Sequence, residues 1–299
     1  MKPASELMGL AHDRAIKKSV VVDGVECFYW FYPATTSQSS KAKDVLIVHG
    51  YRGDHHGLES FAGGLTDFNV YTPDLPGFGI SIPLKNEHSL ENYALWLKAF
   101  IREIGIDKPI SVGHSFGTLI TSALEAKEHT FSKMVFINPV AGGKVQGLSR
   151  FLMYFVKGYY WLAHVAPKQL GMKLVTTYLL VDSMSSYTTK SSDKDLRNWI
   201  KMQHRQHFNS FANSQVVWEA YIASISNTMA PYISDIHVPA LLIAAELDEV
   251  TPVKAVAEMV KTMDNAIMYE ITNCGHLVHY EAASEAIEQM EKFLAGKSD

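Results

Sequence analysis

Two short, unbroken apolar runs that stop at a glycine constrain this chain more than anything else in it. They are "KDVLIVHG" at Lys43–Gly50 and "KPISVGHS" at Lys108–Ser115. Each is too short for a helix and too uniformly apolar for a strand with one wet face, so each reads as a strand covered on both sides. Between them "SLENYALWLKAFIREIG" has apolar residues at helical spacing, with Ser89 as N-cap and Gly105 as stop. The helix "FGTLITSALEAKE" and the strand "KMVFINPV" continue the alternation. Upstream, "SVVVDGVECFYWFYPA" reads as a hairpin turning at Asp23-Gly24, and "FNVYTPDLPGFG" as a further strand ending in Pro and Gly punctuation. The rhythm predicts an α/β fold: a mostly parallel central sheet flanked by helices.

The alternation breaks after Pro139. From Ala141 to Tyr232 the chain reads as aromatic, methionine-rich helical segments, "FLMYFVKGYYWLAHV" and "DLRNWIKMQHRQHF" among them, with "SMSSYTTKSSDKD" as a solvated loop. It resumes at "VPALLIAAELDEVTP", then the helix "VKAVAEMVKTM", the strand "AIMYEIT" and the helix "EAASEAIEQMEKFLAG". The expected organisation is a core of residues 1–140 and 233–299 interrupted by a helical insertion, 141–232. At 299 residues, 47% apolar and 19% charged, the chain has enough apolar matter for one large core, which excludes disorder and fibrous repeats.

A formal net charge of −4 gives no basic field, so a small neutral or apolar molecule is the expected partner, and nucleic acid is not. Two distant cysteines, Cys27 and Cys274, read as reduced thiols of a cytoplasmic protein. The N-terminal stretch "MKPASELMGLAHDRAIKK" has no apolar core of a secretory signal. The greasiest stretch, from Phe151, is broken by Lys157, Gly158 and His164, so no stable membrane insertion is expected. A homodimer is left open.

The chemistry concentrates in "GHSFG". A serine in G-x-S-x-G sits on a strained strand-to-helix turn, where Gly113 and Gly117 supply the missing bulk. A serine hydroxyl needs a base within hydrogen-bond reach and an acid to orient that base. Asp248 follows one buried strand and His276 the next, so both fall at the sheet edge where parallel α/β proteins assemble their sites. His279 and the carboxylates Glu246 and Glu249 are the competing choices. His49, His55 and His56 cluster without a recognised metal spacing and read as pocket wall, so no metal and no cofactor are expected. His204 and His207 read as a polar helix face.

These stretches resemble the α/β-hydrolase fold family with an inserted cap. "VHGYRG" at Val48–Gly53, "DLPGFG" at Asp74–Gly79, "GHSFG", "LDEVTP" at Leu247–Pro252 and "GHLVHYE" at Gly275–Glu281 keep the family's order. The resemblance implies Ser115 as nucleophile, His276 as base and Asp248 as orienting acid. It also implies an oxyanion hole from the backbone N–H groups of Phe116 and Tyr51. The activity it implies is cofactor-free hydrolysis of a carboxylic ester or related acyl bond of a partly hydrophobic substrate. Carbon–carbon hydrolysis of ring-cleavage diketones ranks lower, because Leu277 stands where such relatives often carry tryptophan. Epoxide and haloalkane chemistry would need an aspartate at position 115, and "HGYRG" is not the "HGGPG" of proline iminopeptidases. Lyase or peroxidase activity shares the same three residues. A non-catalytic ligand-binding protein on the same fold is the alternative from another class.

Overall fold

A computed structural model describes residues 1–35, 42–142 and 148–296, the side chains of 148–153 apart. Eight strands form one sheet: β1 Ile16–Val22, β2 Val25–Tyr32, β3 Asp44–Val48, β4 Asn69–Pro73, β5 Ile110–His114, β6 Lys133–Ile137, β7 Ala240–Ala245 and β8 Ala266–Ile271. Their order is β1-β2-β4-β3-β5-β6-β7-β8. The first two are antiparallel, β2 runs antiparallel to β4, and β4 through β8 are parallel. The hairpin turns where expected: Val22 pairs with Val25, and Asp23 and Gly24 both take the positive φ of a type I′ turn.

The helices around the sheet are α1 Ala4–His12, α2 Glu59–Gly64, α3 Leu90–Ile104, α4 Phe116–Glu128, α10 Val253–Val260, α11 Val278–Glu281 and α12 Ala283–Leu294. Because side chains alternate along a strand, Leu46 and Val48 of β3 join the core under α3, α4 and α10. Val45 and Ile47 join the opposite core under α1, α2 and α12. This two-sided burial is why these strands read as unbroken apolar runs. The expected ends of α3 are also found: Ser89 Oγ accepts from the Asn92 amide, and Gly105 closes the helix at φ 75°.

Five helices lie between β6 and β7: α5 Leu148–Val165, α6 Lys168–Val175, α7 Tyr178–Thr188, α8 Lys194–His207 and α9 Ser214–Ser226. Two sequence expectations change here. Ser183–Thr188 is helix, not loop, because Ser183 and Thr188 hydroxyls donate back to the Leu179 and Met184 carbonyls while Ser185 is buried. His204 and His207 do not form a solvated face: His204 is buried and His207 half-buried, both turned toward the core. The expected aromatic helix from Phe151 is present as α5, although the side chains of 151–153 lie outside the described residues. No described helix is long and apolar enough to cross a membrane.

The insertion is tied to the sheet by specific polar contacts. The Gly79 amide donates to Ser210 O and the Ala212 amide to Gly77 O. His88, buried in the loop before α3, donates from Nδ1 to Glu219 of α9 at 2.8 Å and accepts from the Leu84 amide at Nε2. Removing this imidazole would leave the Leu84 amide unpaired and take one donor from Glu219, which keeps the His88 amide and Gln215. His88→Ala is expected to cost about 2 kcal/mol in urea unfolding, and an unchanged midpoint would contradict the contact's importance.

Candidate active site

The site begins with a backbone that only small neighbours permit. Ser115 connects β5 to α4 with φ 51° and ψ −116°, a region that non-glycine residues avoid. The turn is tight enough that a Cβ on Gly117 would lie 2.2 Å from the Val48 carbonyl oxygen, and one on Gly113 would lie 2.9 Å from the Gly117 carbonyl oxygen. Gly50, two residues past the end of β3, is less tightly enclosed: a Cβ there would lie 3.2 Å from the Ser115 Cβ. The elbow, the first turn of α4 and the loop after β3 therefore touch backbone to backbone.

Ser115, Asp248 and His276, expected from the sequence to work together, do meet. Ser115 Oγ donates to His276 Nε2 at 2.9 Å, and His276 Nδ1 donates to Asp248 Oδ2 at 2.7 Å. Asp248 is fully employed: Oδ2 also accepts from Thr251 Oγ1 and Asn138 Nδ2, and Oδ1 from the Val250 and Thr251 amides. Burial raises its pKa, but His276 and these donors outweigh it and hold the carboxyl at about 2. An acceptor-only carboxylate fixes the imidazole tautomer, with the proton on Nδ1 and the lone pair of Nε2 toward Ser115. His279 and Glu246, the competing choices, lie elsewhere: Glu246 accepts from the Asn273 amide, and His279 packs edge-on against His114. Glu249 pairs with Lys190.

The two expected backbone donors stand beside this arrangement. Phe116 is the first residue of α4, so its N–H has no intrahelical acceptor. The Tyr51 N–H makes no hydrogen bond among the described residues. Both residues line the cavity that Ser115 and His276 face. The Tyr51 phenol is held by the Val217 carbonyl at 3.0 Å, and its ring packs against Phe78, Tyr160 and Tyr221.

Several supporting residues escaped the sequence reading. The His276 amide donates to Thr188 O, and Glu281 accepts from the Gly275, Lys190 and Ser191 amides, so the base's loop is braced against the insertion. Glu281 stands inside the quoted "GHLVHYE", which was the available signal. His114, buried behind His276, donates from Nε2 to the His276 carbonyl, and burial pushes its pKa down to about 3.

Arg52 is the largest surprise. It is completely buried at φ 60° beside Tyr51, and among the described residues it forms no ion pair. Its guanidinium instead donates to Tyr160 Oη, Asn209 Oδ1 and the carbonyls of Val175 and Phe208, and it stacks near the rings of Phe208 and Phe211. Every one of these partners belongs to the insertion.

The cavity occupies about 1160 Å³ between the sheet's C-terminal edge and the inserted helices. Phe155, Val156, Tyr159, Leu179, Leu180 and Ile225 make much of its wall. Asp54, His55 and His56 bring ligand-type atoms within 4.8 Å of one another near its rim. His55 Nδ1 is already bonded to Asp74, the His55 and His56 rings are tilted by 39° with centroids 3.9 Å apart, and His56 stacks on His207 at 3.9 Å. His49 is pocket support, donating from Nδ1 to Gly50 O and accepting from the Leu75 amide.

Comparisons with known proteins bear on the family and the fold. A family model described as the alpha/beta hydrolase fold matches residues 44–283. A 2-hydroxy-6-oxononadienedioate/2-hydroxy-6-oxononatrienedioate hydrolase of Dechloromonas aromatica is 25% identical over 265 residues, covering 85% of this chain and 88% of its own. Lipase 3 of a Moraxella species is 20% identical, covering 95% and 86%. The crystal structure of the enol-lactonase from Burkholderia xenovorans LB400 superposes with a TM-score of 0.77 at 18% identity, covering 93% of this chain and all of that one.

Two expected outcomes follow. Arg52→Met removes four donated bonds and strands acceptors from two inserted helices, α5 and α6, and from the segment after α8, so it is expected to cost about 3 kcal/mol or more in chemical denaturation. Because the Asp248 carboxyl is depressed to about 2, its contribution is complete above the unfolded value near ~3.9 and fades as pH falls toward 2. The stability gap between the native protein and Asp248→Asn should narrow over that acid window, and a gap constant from pH 6 to pH 2.5 would refute the linkage.

Proposed function

Since the chain belongs to the alpha/beta hydrolase fold family, we propose that it is a serine hydrolase that cleaves a carboxylic ester of a small, largely apolar substrate without a cofactor. The observation that carries this reading is the line of hydrogen bonds from Asp248 through His276 to Ser115, with Ser115 and His276 lining a large, mostly apolar cavity. Residues 141–232 are taken as a cap over the core formed by 1–140 and 233–299.

In the proposed reaction His276 Nε2 takes the Ser115 proton as Oγ bonds to the ester carbonyl carbon. The carbonyl oxygen becomes an oxyanion received by the N–H groups of Tyr51 and Phe116, a stabilisation of about 3 kcal/mol per donor in comparable sites. When the intermediate collapses, the bond to the alcohol oxygen breaks and His276 returns its proton to that oxygen. Water then repeats the sequence on the acyl-enzyme, giving the carboxylic acid and restoring Ser115. Asp248 holds the imidazole in the required tautomer throughout.

The similarity to the Dechloromonas enzyme favours carbon–carbon hydrolysis as a second reading. The substrates that relative is named for are dioates, however, and the cations lining this cavity are Arg52, committed to protein acceptors, and Lys254. An uncharged ester suits the lining better.

A fluorophosphonate probe should add one equivalent of mass to the native protein and none to Ser115→Ala or His276→Ala. Ser115→Ala should also lower the hydrolysis of 4-nitrophenyl esters at least ~10³-fold while leaving thermal unfolding intact. A folded native protein that neither labels nor turns over any ester would instead favour a ligand-binding role.

A further inference from the structure

The apolar wall of the cavity is interrupted by two imidazoles that the proposed reaction does not use. His204 comes from α8 and His279 from α11, so they belong to the insertion and the core respectively. Both line the cavity, and each is only 5% exposed. Nδ1 of each ring is shut away with no partner, and among the described residues neither Nε2 makes a hydrogen bond. The two rings flank Tyr280, with centroids 4.3 Å and 6.0 Å from it. His279 also lies 4.6 Å from His114, whose ring is 5.3 Å from His276, so this polar spot sits on the base's side of the cavity.

Polar atoms buried without partners are rare because each forfeits its hydrogen bonds to water. Nδ1 of each ring is enclosed and out of a ligand's reach, but Nε2 is not enclosed and has no partner among the described residues, so two such rings on one cavity wall point to a ligand group that bonds to the Nε2 atoms. Burial keeps both rings uncharged: it pushes His204 down to about 4, helped by Arg52, and His279 well below the ordinary histidine value, helped by His114, His204 and His276. A neutral imidazole offers one N–H and one lone pair. With Nδ1 enclosed, each ring presents only Nε2 to the cavity, as donor or as acceptor according to its tautomer, and a hydroxyl can meet either because it donates and accepts at one oxygen. A carboxylate or ammonium would instead bring a bare charge into a poorly solvated cavity, and no described ion pair of either ring stands ready to balance it.

We infer that His204 and His279 form a polar subsite for an uncharged hydroxyl of the substrate, so that the preferred ester carries a free hydroxyl away from the bond that is cut. This rests on the ester-hydrolase reading above and deepens it.

The test uses two pairs of esters of matched shape. One pair carries the hydroxyl on the acyl chain, 4-nitrophenyl 6-hydroxyhexanoate against 4-nitrophenyl heptanoate. The other carries it on the alcohol, 3-hydroxypropyl hexanoate against butyl hexanoate. The native protein should favour the hydroxylated member of at least one pair about tenfold or more in kcat/KM. His204→Phe and His279→Phe should bring that ratio close to one, whereas His204→Gln, which keeps a donor and an acceptor, should retain most of it. Turnover of both members without preference in either pair overturns the subsite. So does a parallel loss of both members in the variants with the ratio preserved, which is what a structural role would give. Absence of turnover for all four esters would count against the hydrolase reading itself. The subsite is then judged by calorimetric titration of Ser115→Ala with the same pairs, where equal dissociation constants would refute it.

Discussion

Everything at the site depends on the close approach of three pieces of backbone around Ser115. The end of β3, the elbow after β5 and the first turn of α4 come so near that a methyl group on Gly117 would overlap the Val48 carbonyl. This contact forces Ser115 to φ 51°, and the same contact aims its Oγ out of the sheet toward His276. It also sets the Phe116 amide beside the loop that carries Tyr51. A single steric constraint thus fixes a hydroxyl and two N–H groups relative to one another, before any side-chain interaction contributes. Asp248 and His276 then need only stand at the ends of neighbouring parallel strands, β7 and β8, to fall within reach.

The polar contacts around this constraint fall into two groups by what they hold. Those that orient the reacting groups are charged or charge-assisted and lie within the core, as with Asp248 and its donors from Asn138, Thr251 and Val250. Those that position the inserted helices mix amide–carbonyl pairs at Gly77 and Gly79 with charge-assisted bonds from Arg52 and to Glu219 and Glu281. The base's loop belongs to both groups, since the His276 amide is held by Thr188 of α7 while its ring is held by the core. A shift of α7 would therefore be felt at the imidazole without passing through the substrate.

Much of this was legible in the order of residues. Strands buried on both faces announce themselves as unbroken apolar runs, and Ser89 and Gly105 bound α3 because capping is a local affair. Ser115, Asp248 and His276 could be placed because each follows a recognisable strand. The failures share a cause: they concern what lies across from a residue, which periodicity does not encode. Ser183–Thr188 looks like a solvated loop by composition, yet its hydroxyls bond back to the helix and Ser185 is covered. His204 and His207 have polar side chains at helical spacing, and only the tertiary fold turns them inward. Arg52 sits in a glycine-rich loop where an exposed cation would be ordinary. Helices α1 and α2 went unremarked because their small, mixed sequences carry a weak pattern, and the position of β4 outside β3 is not a property of either strand alone.

Arg52 carries a consequence for how this architecture can change. Its charge is accommodated by Tyr160, Val175, Phe208 and Asn209, which do the work that water would do on a surface. A core with a different set of helices spliced between β6 and β7 would present that guanidinium to surfaces lacking those acceptors. The insertion is therefore not an interchangeable module. Any exchange of it, by recombination or by design, has to be accompanied by a change at position 52, so a single residue in the core keeps account of which roof the protein wears.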